Sequence, residues 1–265
     1  NGALLMKLQV LLSTMHQNDY SILEKMNIQS DAIIVNQCDR NEIEKLIYKG
    51  NIIKFLSFSE RGVGLSRNTA LMRATADICL FADDDVKYVN GYKKIICNAF
   101  KKNPKADIII FNVLSTNKRR GQHIITENKR LFFHNCFKFG TYQIAVRLSS
   151  IRRANVYFSL LFGGGAKYSA GEDSLFLGEC LKKGLKVYSS TKTIGVVSHK
   201  GSTWFRGFTD KFFIDKGVFY ALLTQRLAII LCLRYAIKHR RMFEKDKSCF
   251  EAFRLMLKGI REIKQ

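Results

Sequence analysis

Five short, nearly unbroken apolar runs constrain what this chain can fold into: residues 8–13 (LQVLLS), 32–36 (AIIVN), 52–58 (IIKFLSF), 78–82 (ICLFA) and 108–113 (IIIFNV). Each has the length of a strand and lacks the alternation of a half-exposed one, so both of its faces must be covered. Between them, residues 16–26, 65–75 and 92–102 carry apolar positions at helical spacing. The last of these must end before Pro104, the chain's single proline. Strands alternating with helices predict a mostly parallel sheet flanked by helices on both faces. Such sheets bind ligands beyond the carboxyl ends of their strands, which directs attention to Ser13 and Thr14, to residues 36–39, to residues 59–61 and to Asp83–Asp85.

The second half reads differently. Residues 142–148 (YQIAVRL) suggest a strand, Gly163–Gly165 a turn, and residues 173–183 a helix closed by Gly184. Residues 186–190 and 194–199 suggest two short strands, and beyond Phe208 the pattern turns helical. Ser248 and Glu251 form a capping box, and the helix they start carries Phe250, Phe253, Leu257 and Ile260 on one stripe. Residues 217–237 are the most apolar stretch, but Gln225, Arg226 and Arg234 interrupt it, which argues against a membrane span. The opening residues 1–5 are set aside, with Met6 taken as the start of the folded unit. Without repeats, low-complexity tracts or flexible linkers, the remainder is expected to form one continuous unit.

Charge narrows the partners. The chain holds 44 Lys and Arg against 22 Asp and Glu, a net +22, which calls for a polyanion: nucleic acid, anionic lipid or a phosphorylated substrate. No recognisable nucleic-acid-binding motif accompanies it. Seven cysteines at irregular spacing, with no CxxC pair, fit reduced thiols in a cytosolic compartment rather than zinc or disulfides.

Four constellations could carry chemistry. Asp83-Asp84-Asp85 directly follows ICLFA; adjacent carboxylates need a cation or strong donors to be tolerated together. In extended chain Asp83 and Asp85 point the same way, and with phosphate oxygens and water they suit Mg2+ or Mn2+; a solvated acidic loop is the alternative. Residues 59–68 (SERGVGLSRN) offer glycines for close backbone approach, free N–H groups at a helix start, and Arg61 and Arg67 for phosphate, or else an ordinary turn before a helix. Glu172-Asp173 at a helix start reads either as capping or as a general base with its neighbour, with Gly163–Gly165 leaving room for a ligand. His199 closes a strand and is a third metal ligand, a phosphate contact or a surface histidine.

Together these pieces resemble the inverting family-2 glycosyltransferases of GT-A fold, of the type that assembles bacterial surface polysaccharides. SERGVGLSRNTALMRATADICLFADDDV, residues 59–86, resembles the family's arginine-bearing helix and DxD strand. GGGAKYSAGEDSLFL, residues 163–177, resembles its acceptor-side glycine segment and ED motif. The resemblance covers residues 6–199 and implies a Rossmann-like, mostly parallel α/β sheet. It further implies a catalytic domain over 6–204, with a nucleotide-sugar half (6–115) and an acceptor half (116–204); the residues beyond, 205–265, read by their own pattern and charge as a basic helical region. By the same likeness, Ser13, Thr14, Asp39, Arg67, Asp83 and Asp84 would contact the donor, with Asp39 at the base and Arg67 near the base or diphosphate. Asp85 and Asp83, with His199, would hold the metal. Asp173 would be the catalytic base, supported by Glu172. Where many members carry Asp-Asp-Gly-Ser, this chain has Asn36-Gln37-Cys38-Asp39.

The activity implied is transfer of a sugar from a nucleoside-diphosphate donor, first of all a UDP-sugar, to a hydroxyl of a glycan acceptor, with Mn2+ or Mg2+. The basic C-terminal region, with Phe212, Phe213, Phe219, Leu223, Leu227 and Ile230 on one expected helix face, suggests docking on anionic lipid and hence a lipid-linked acceptor at the cytoplasmic face of a membrane. An ordinary packing helix would carry the same pattern. A sugar-phosphate nucleotidyltransferase, releasing pyrophosphate, shares the sheet, glycines and acids but not the ED segment. A non-enzymatic polyanion-binding protein would leave Asp83–Asp85 unexplained.

Overall fold

All five apolar runs form strands. The computed structural model describes residues 6–117, 122–198 and 207–263. In chain order the elements are β1 (Leu8–Met15), α1 (Ser21–Lys25), β2 (Asp31–Gln37), β3 (Glu42–Tyr48), β4 (Asn51–Phe58), α2 (Val63–Arg73), β5 (Ile78–Asp83), β6 (Val86–Tyr88), α3 (Tyr92–Lys102), β7 (Ile108–Ser115) and β8 (Arg130–Leu131). A 3-10 turn at Thr141–Gln143 then leads into β9 (Ile144–Arg147), α4 (Leu148–Ala154), α5 (Glu172–Lys182), β10 (Val187–Val197), α6 (Asp210–Leu223), α7 (Ala228–Lys238), α8 (Arg240–Phe243) and α9 (Cys249–Glu262).

The strands join in one sheet, ordered β3-β4-β2-β1-β5-β9-β7-β10-β6, with β8 paired to β10. Strands β4, β2, β1 and β5 run parallel, as do β7 and β10; β3, β6 and β9 are antiparallel to their neighbours. Helices α1 and α3 cover one face, burying Ile22, Leu23, Ile96 and Phe100 against Leu8, Val10 and Leu12. Helices α2, α4 and α5 cover the other, burying Leu71, Ile151 and Phe176 against Leu11, Ile33 and Phe81. The fold is therefore the expected mostly parallel, helix-flanked α/β sheet, GT-A-like, with helices following at the C-terminal side.

Several local expectations shift. The segment over 16–26 is helical only over Ser21–Lys25. Strand β3, unanticipated, alternates charge with apolar residues and leaves Ile43 and Ile47 exposed on the sheet edge. It joins β4 through Lys49 and Gly50, both at positive φ, as a tight hairpin turn requires. Residues 142–148 divide between the 3-10 turn and β9, and α4 begins at once. The two short strands expected at 186–199 are one strand, β10, offset by register shifts between Ser189 and Gly195. The seven cysteines are free, six of them buried.

The C-terminal helices build a separate core around Phe213, Cys232, Phe243 and Met256. Its tightest seam is the α6–α9 crossing. A Cβ at Gly217 would lie 1.9 Å from the Met256 carbonyl oxygen, and one at Gly259 would lie 2.1 Å from that of Ile214, so only glycine lets the two backbones approach this closely. That seam shifts the inward face of α9: Ala252, Met256, Gly259 and Ile260 are buried, the expected Phe253 and Leu257 pack at the core's margin, and Phe250 alone of the expected stripe is 74% exposed. The capping box at Ser248 and Glu251 is formed as expected. The expected continuous apolar face through residues 212–230 is also revised. Residues 224–227 separate α6 from α7; Phe213, Phe219 and Leu223 are buried in the protein, whereas Leu227 and Ile230 are exposed. Among the described residues no helix is long and apolar enough to cross a membrane.

Candidate active site

The parallel strands deliver their carboxyl ends to one edge of the sheet, where β1 and β5 place Ser13 opposite Asp83. Residues 84–85 form a turn into β6, so Asp83 and Asp85 do not share the extended-chain geometry expected of them. A turn is needed because β6 pairs with β10 and not with β5. The carboxylates diverge as a result: Asp83 reaches α2, and Asp84 accepts a 2.6 Å hydrogen bond from the Thr14 hydroxyl. The Asp85 carbonyl accepts from Ser198 N. Ser13 is buried and accepts from the Ser66 hydroxyl, which ties β1 to α2.

Arg67 joins the two acidic motifs. Its side chain is only 4% exposed, and its guanidinium donates to Asp83 Oδ1 at 2.8 Å and to Glu172 Oε1 at 2.9 Å. The fork thus spans 105 residues of chain, from α2 to the start of α5. Burial opposes the charge, but Asp83 and Glu172 outweigh it and hold Arg67 more firmly protonated than usual. The guanidinium thus binds two carboxylates, and among the described residues its buried Nε has no hydrogen-bond partner.

The glycine segments also do something other than expected. Val63 N, at the start of α2, donates to the Gly164 carbonyl at 2.9 Å, so that helix N–H is taken by the protein. A Cβ on Gly165 would lie 3.0 Å from Gly62 N, one on Gly163 2.4 Å from Val63 Cγ1, and one on Gly64 2.3 Å from the Ser159 carbonyl oxygen. The two segments interlock, and their missing side chains admit each other's backbone. Gln37 secures the same junction by accepting from Gly62 N at 2.7 Å.

Asp173 sits at the first turn of α5, partly buried, and its Oδ1 accepts from Ser174 N at 2.6 Å. Burial, with the neighbouring Glu172 charge adding to it, pushes its carboxyl up to about 7, against a smaller opposing pull from Arg67. A carboxylate poised there can exchange a proton near neutral pH. Asp39 lies on the rim, 84% exposed and paired with Arg61; Arg61 also donates to the Cys38 carbonyl. His199 lies outside the described residues, as does the expected boundary at residue 204.

One cation here read in the sequence only as part of the basic C-terminal region. Lys216, on α6, points its ammonium at the rings of Phe212, Phe219 and Tyr235, 5.3–5.6 Å from each centroid. Burial lowers its pKa, while Asp173 and Asp215 pull the other way. The same helix packs Phe219 over Gly171, where a Cβ would meet the ring at 2.6 Å. Buried Asp215 accepts from Ser169 N and Oγ at 3.0 Å and from Lys211. The C-terminal region thus supports the loop that ends in Glu172-Asp173. Its only sequence signal was a lysine amid aromatics at helical spacing.

The fold is similar to that of S. aureus TarS. The TarS 1–349 structure in complex with UDP aligns at a TM-score of 0.65 and 14% identity, covering 97% of this chain and 82% of that one. The same fragment with UDP-GlcNAc aligns at 0.64 and 15% identity, covering 89% and 73%. The longer TarS chain aligns at 0.59 and 15% identity, covering 89% of this chain and 44% of its own. At these identities the likeness shows the fold alone. No protein of curated function matches in sequence. The family described as Glycosyl transferase family 2 matches residues 15–157, more than half of the chain and the stretch containing Arg67 and the three aspartates. The chain belongs to glycosyl transferase family 2.

Proposed function

We propose that this protein transfers a sugar, with inversion, from a UDP-sugar to a hydroxyl of a glycan acceptor, lipid-linked at the cytoplasmic face of a membrane. The observation that carries the reading is the Arg67 fork, which ties the strand-end Asp83 to Glu172, beside a carboxyl whose pKa is raised to about 7. A sugar hydroxyl is a weak nucleophile until its proton is taken, and Asp173 is the group poised to take it. Glu172 keeps that charge environment negative, and Arg67 positions both motifs without meeting substrate itself. Support for the donor comes from family membership and from TarS, which was captured with UDP and with UDP-GlcNAc.

A divalent ion would suit these oxygen donors. Asp83 and Glu172 share one buried guanidinium, and Asp173 lies near enough to feel its charge; among the described residues no three acids or histidines already converge on a metal position, so Mg2+ or Mn2+, which take a few carboxylate oxygens together with phosphate and water, would be held jointly with the donor. Asp85 and Asp83 would hold it, and when bound it would neutralise charge on the departing diphosphate. Thr14 keeps Asp84 oriented, and Ser13, Thr14 and Asp39 lie along the strand ends where the donor would sit.

Asp173→Asn is expected to abolish transfer while donor binding persists; Asp85→Ala is expected to weaken Mn2+-dependent donor binding. A thermal-shift series with nucleoside diphosphates and UDP-sugars, with and without Mn2+, reads the second. UDP release on mixing with acceptor reads the first. Normal turnover by Asp173→Asn would remove the base assignment, and release of pyrophosphate from a nucleoside triphosphate would replace the reaction.

A further inference from the structure

Helix α7 is apolar on the wrong side for a packing helix. Its inward positions, spaced four apart, are the small residues Ala228, Cys232 and Ala236, all buried against α6 and α9. Its large aliphatics face out: Leu227, Ile229, Ile230, Leu233 and Ile237, with Met242 beyond the helix end, are each 45–61% exposed. A soluble surface helix shows the opposite arrangement, and contiguous exposed apolar patches mark interaction surfaces.

The charges around this patch have one sign. Arg226, Arg234, Lys238, Arg240 and Arg241 are all exposed, and none forms a salt bridge among the described residues. Residues 226–243 contain no Asp or Glu. Arg234 follows Ile230 by one turn and precedes Ile237 by one, so cations and aliphatics share the outer face. Long basic side chains can carry their charge to a headgroup plane while aliphatics beside them enter the acyl boundary.

We propose that the outer face of α7 docks on an anionic lipid surface, with Ile230, Leu233 and Ile237 inserted and the five cations at the headgroups. A second copy of the chain is disfavoured because a two-fold contact would set these cations against one another. Nucleic acid would leave the aliphatics unpartnered. The placement deepens the lipid-linked acceptor reading and rests on it only for its purpose. Tyr235 on the inner side of α7 meets Lys216, and Lys216 stands beside the Glu172-Asp173 loop, so the docking face lies one helix layer from the candidate base.

The test is flotation of the full chain with vesicles of phosphatidylcholine containing about a third phosphatidylglycerol, against phosphatidylcholine alone. Binding should require the anionic lipid and weaken between about 0.1 M and about 0.5 M NaCl. Each cation near such a surface is worth about fivefold in affinity, so the double variant Arg234→Glu, Lys238→Glu should lose about 25-fold or more. Ile230→Asp with Ile237→Asp should lose binding at either salt. Both pairs are exposed, and circular dichroism should match the parent. Failure to bind anionic vesicles at the lower salt, or undiminished binding by both variants, would overturn the proposal. So would a parent dimer in sedimentation that the isoleucine pair dissociates. Hydrolysis of soluble UDP-sugar should be unchanged in both variants; its absence from the parent as well would count against the enzymatic reading and leave the docking result standing.

Discussion

Asp173→Asn should make the protein more stable at neutral and alkaline pH while removing its activity. The folded-state carboxyl titrates at about 7 against an ordinary 3.8, chiefly because it is buried, with Glu172 beside it. Below the ordinary value both states are protonated and the group is neutral to stability. As pH rises from about 4 to about 7 the unfolded chain ionises first, so stability falls, and above the folded value the full cost is present. The gap between 3.8 and about 7 corresponds to about 4 kcal/mol at face value. Partial exposure of the side chain reduces this to about 1–2 kcal/mol. An asparagine can keep the bond from Ser174 N without the charge. For a chain of this size that gain corresponds to about 2–8 °C in Tm. Urea melts of both proteins at about pH 4 and about pH 8 should show similar midpoints at the lower pH and a higher midpoint for the variant at the upper one. Equal midpoints at both would refute the raised carboxyl, and with it the physical reason for assigning Asp173 as base.

Other perturbations follow from the same geometry. Arg67→Met should cost about 2–4 kcal/mol, because it strands two carboxylates, although Asp83 at 33% exposure can recover some hydration; a denaturant midpoint equal to the parent's would contradict the fork. Gly64→Ala should destabilise by about 1–3 kcal/mol, since its Cβ would strike the Ser159 carbonyl 2.3 Å away; an unchanged Tm would show that α2 does not pack this closely on the chain at Ser159. Lys216→Met removes a positive charge near Asp173, so the rise of kcat/KM with pH should move to higher pH. An unmoved profile would confine Lys216 to packing.

The elements that were legible in the sequence are those specified by local chemistry. Runs such as ICLFA have no polar side on which to lie against water, so they had to become buried strands. Gly184 and Pro104 bounded their helices by backbone restriction, and Ser248 with Glu251 started one by satisfying its first N–H groups. The three aspartates announced a site because like charges in sequence need an external partner. Strand β3 escaped notice because an edge strand alternating charge with isoleucine is stabilised by pairing with β4 across a tight turn, from Tyr48 opposite Asn51 to Glu42 opposite Ser57, and not by any apolar run.

Tertiary structure alone decided what those residues face. Ser59–Asn68 and Gly163–Gly165 each read as ligand-approach loops; only folding brings them together, so that their glycines accommodate one another. Arg67 read as a phosphate contact, and only folding brings Asp83 and Glu172 onto it from distant parts of the chain. The aromatic surround of Lys216 and the outward turn of α7's large residues follow from the glycine seam between α6 and α9, which sets how the C-terminal helices rotate. Sequence patterns specify which side chains must leave water. Which groups they meet is set by contacts between segments a hundred residues apart, and it is those contacts that move a carboxyl to about 7 and leave a row of isoleucines uncovered.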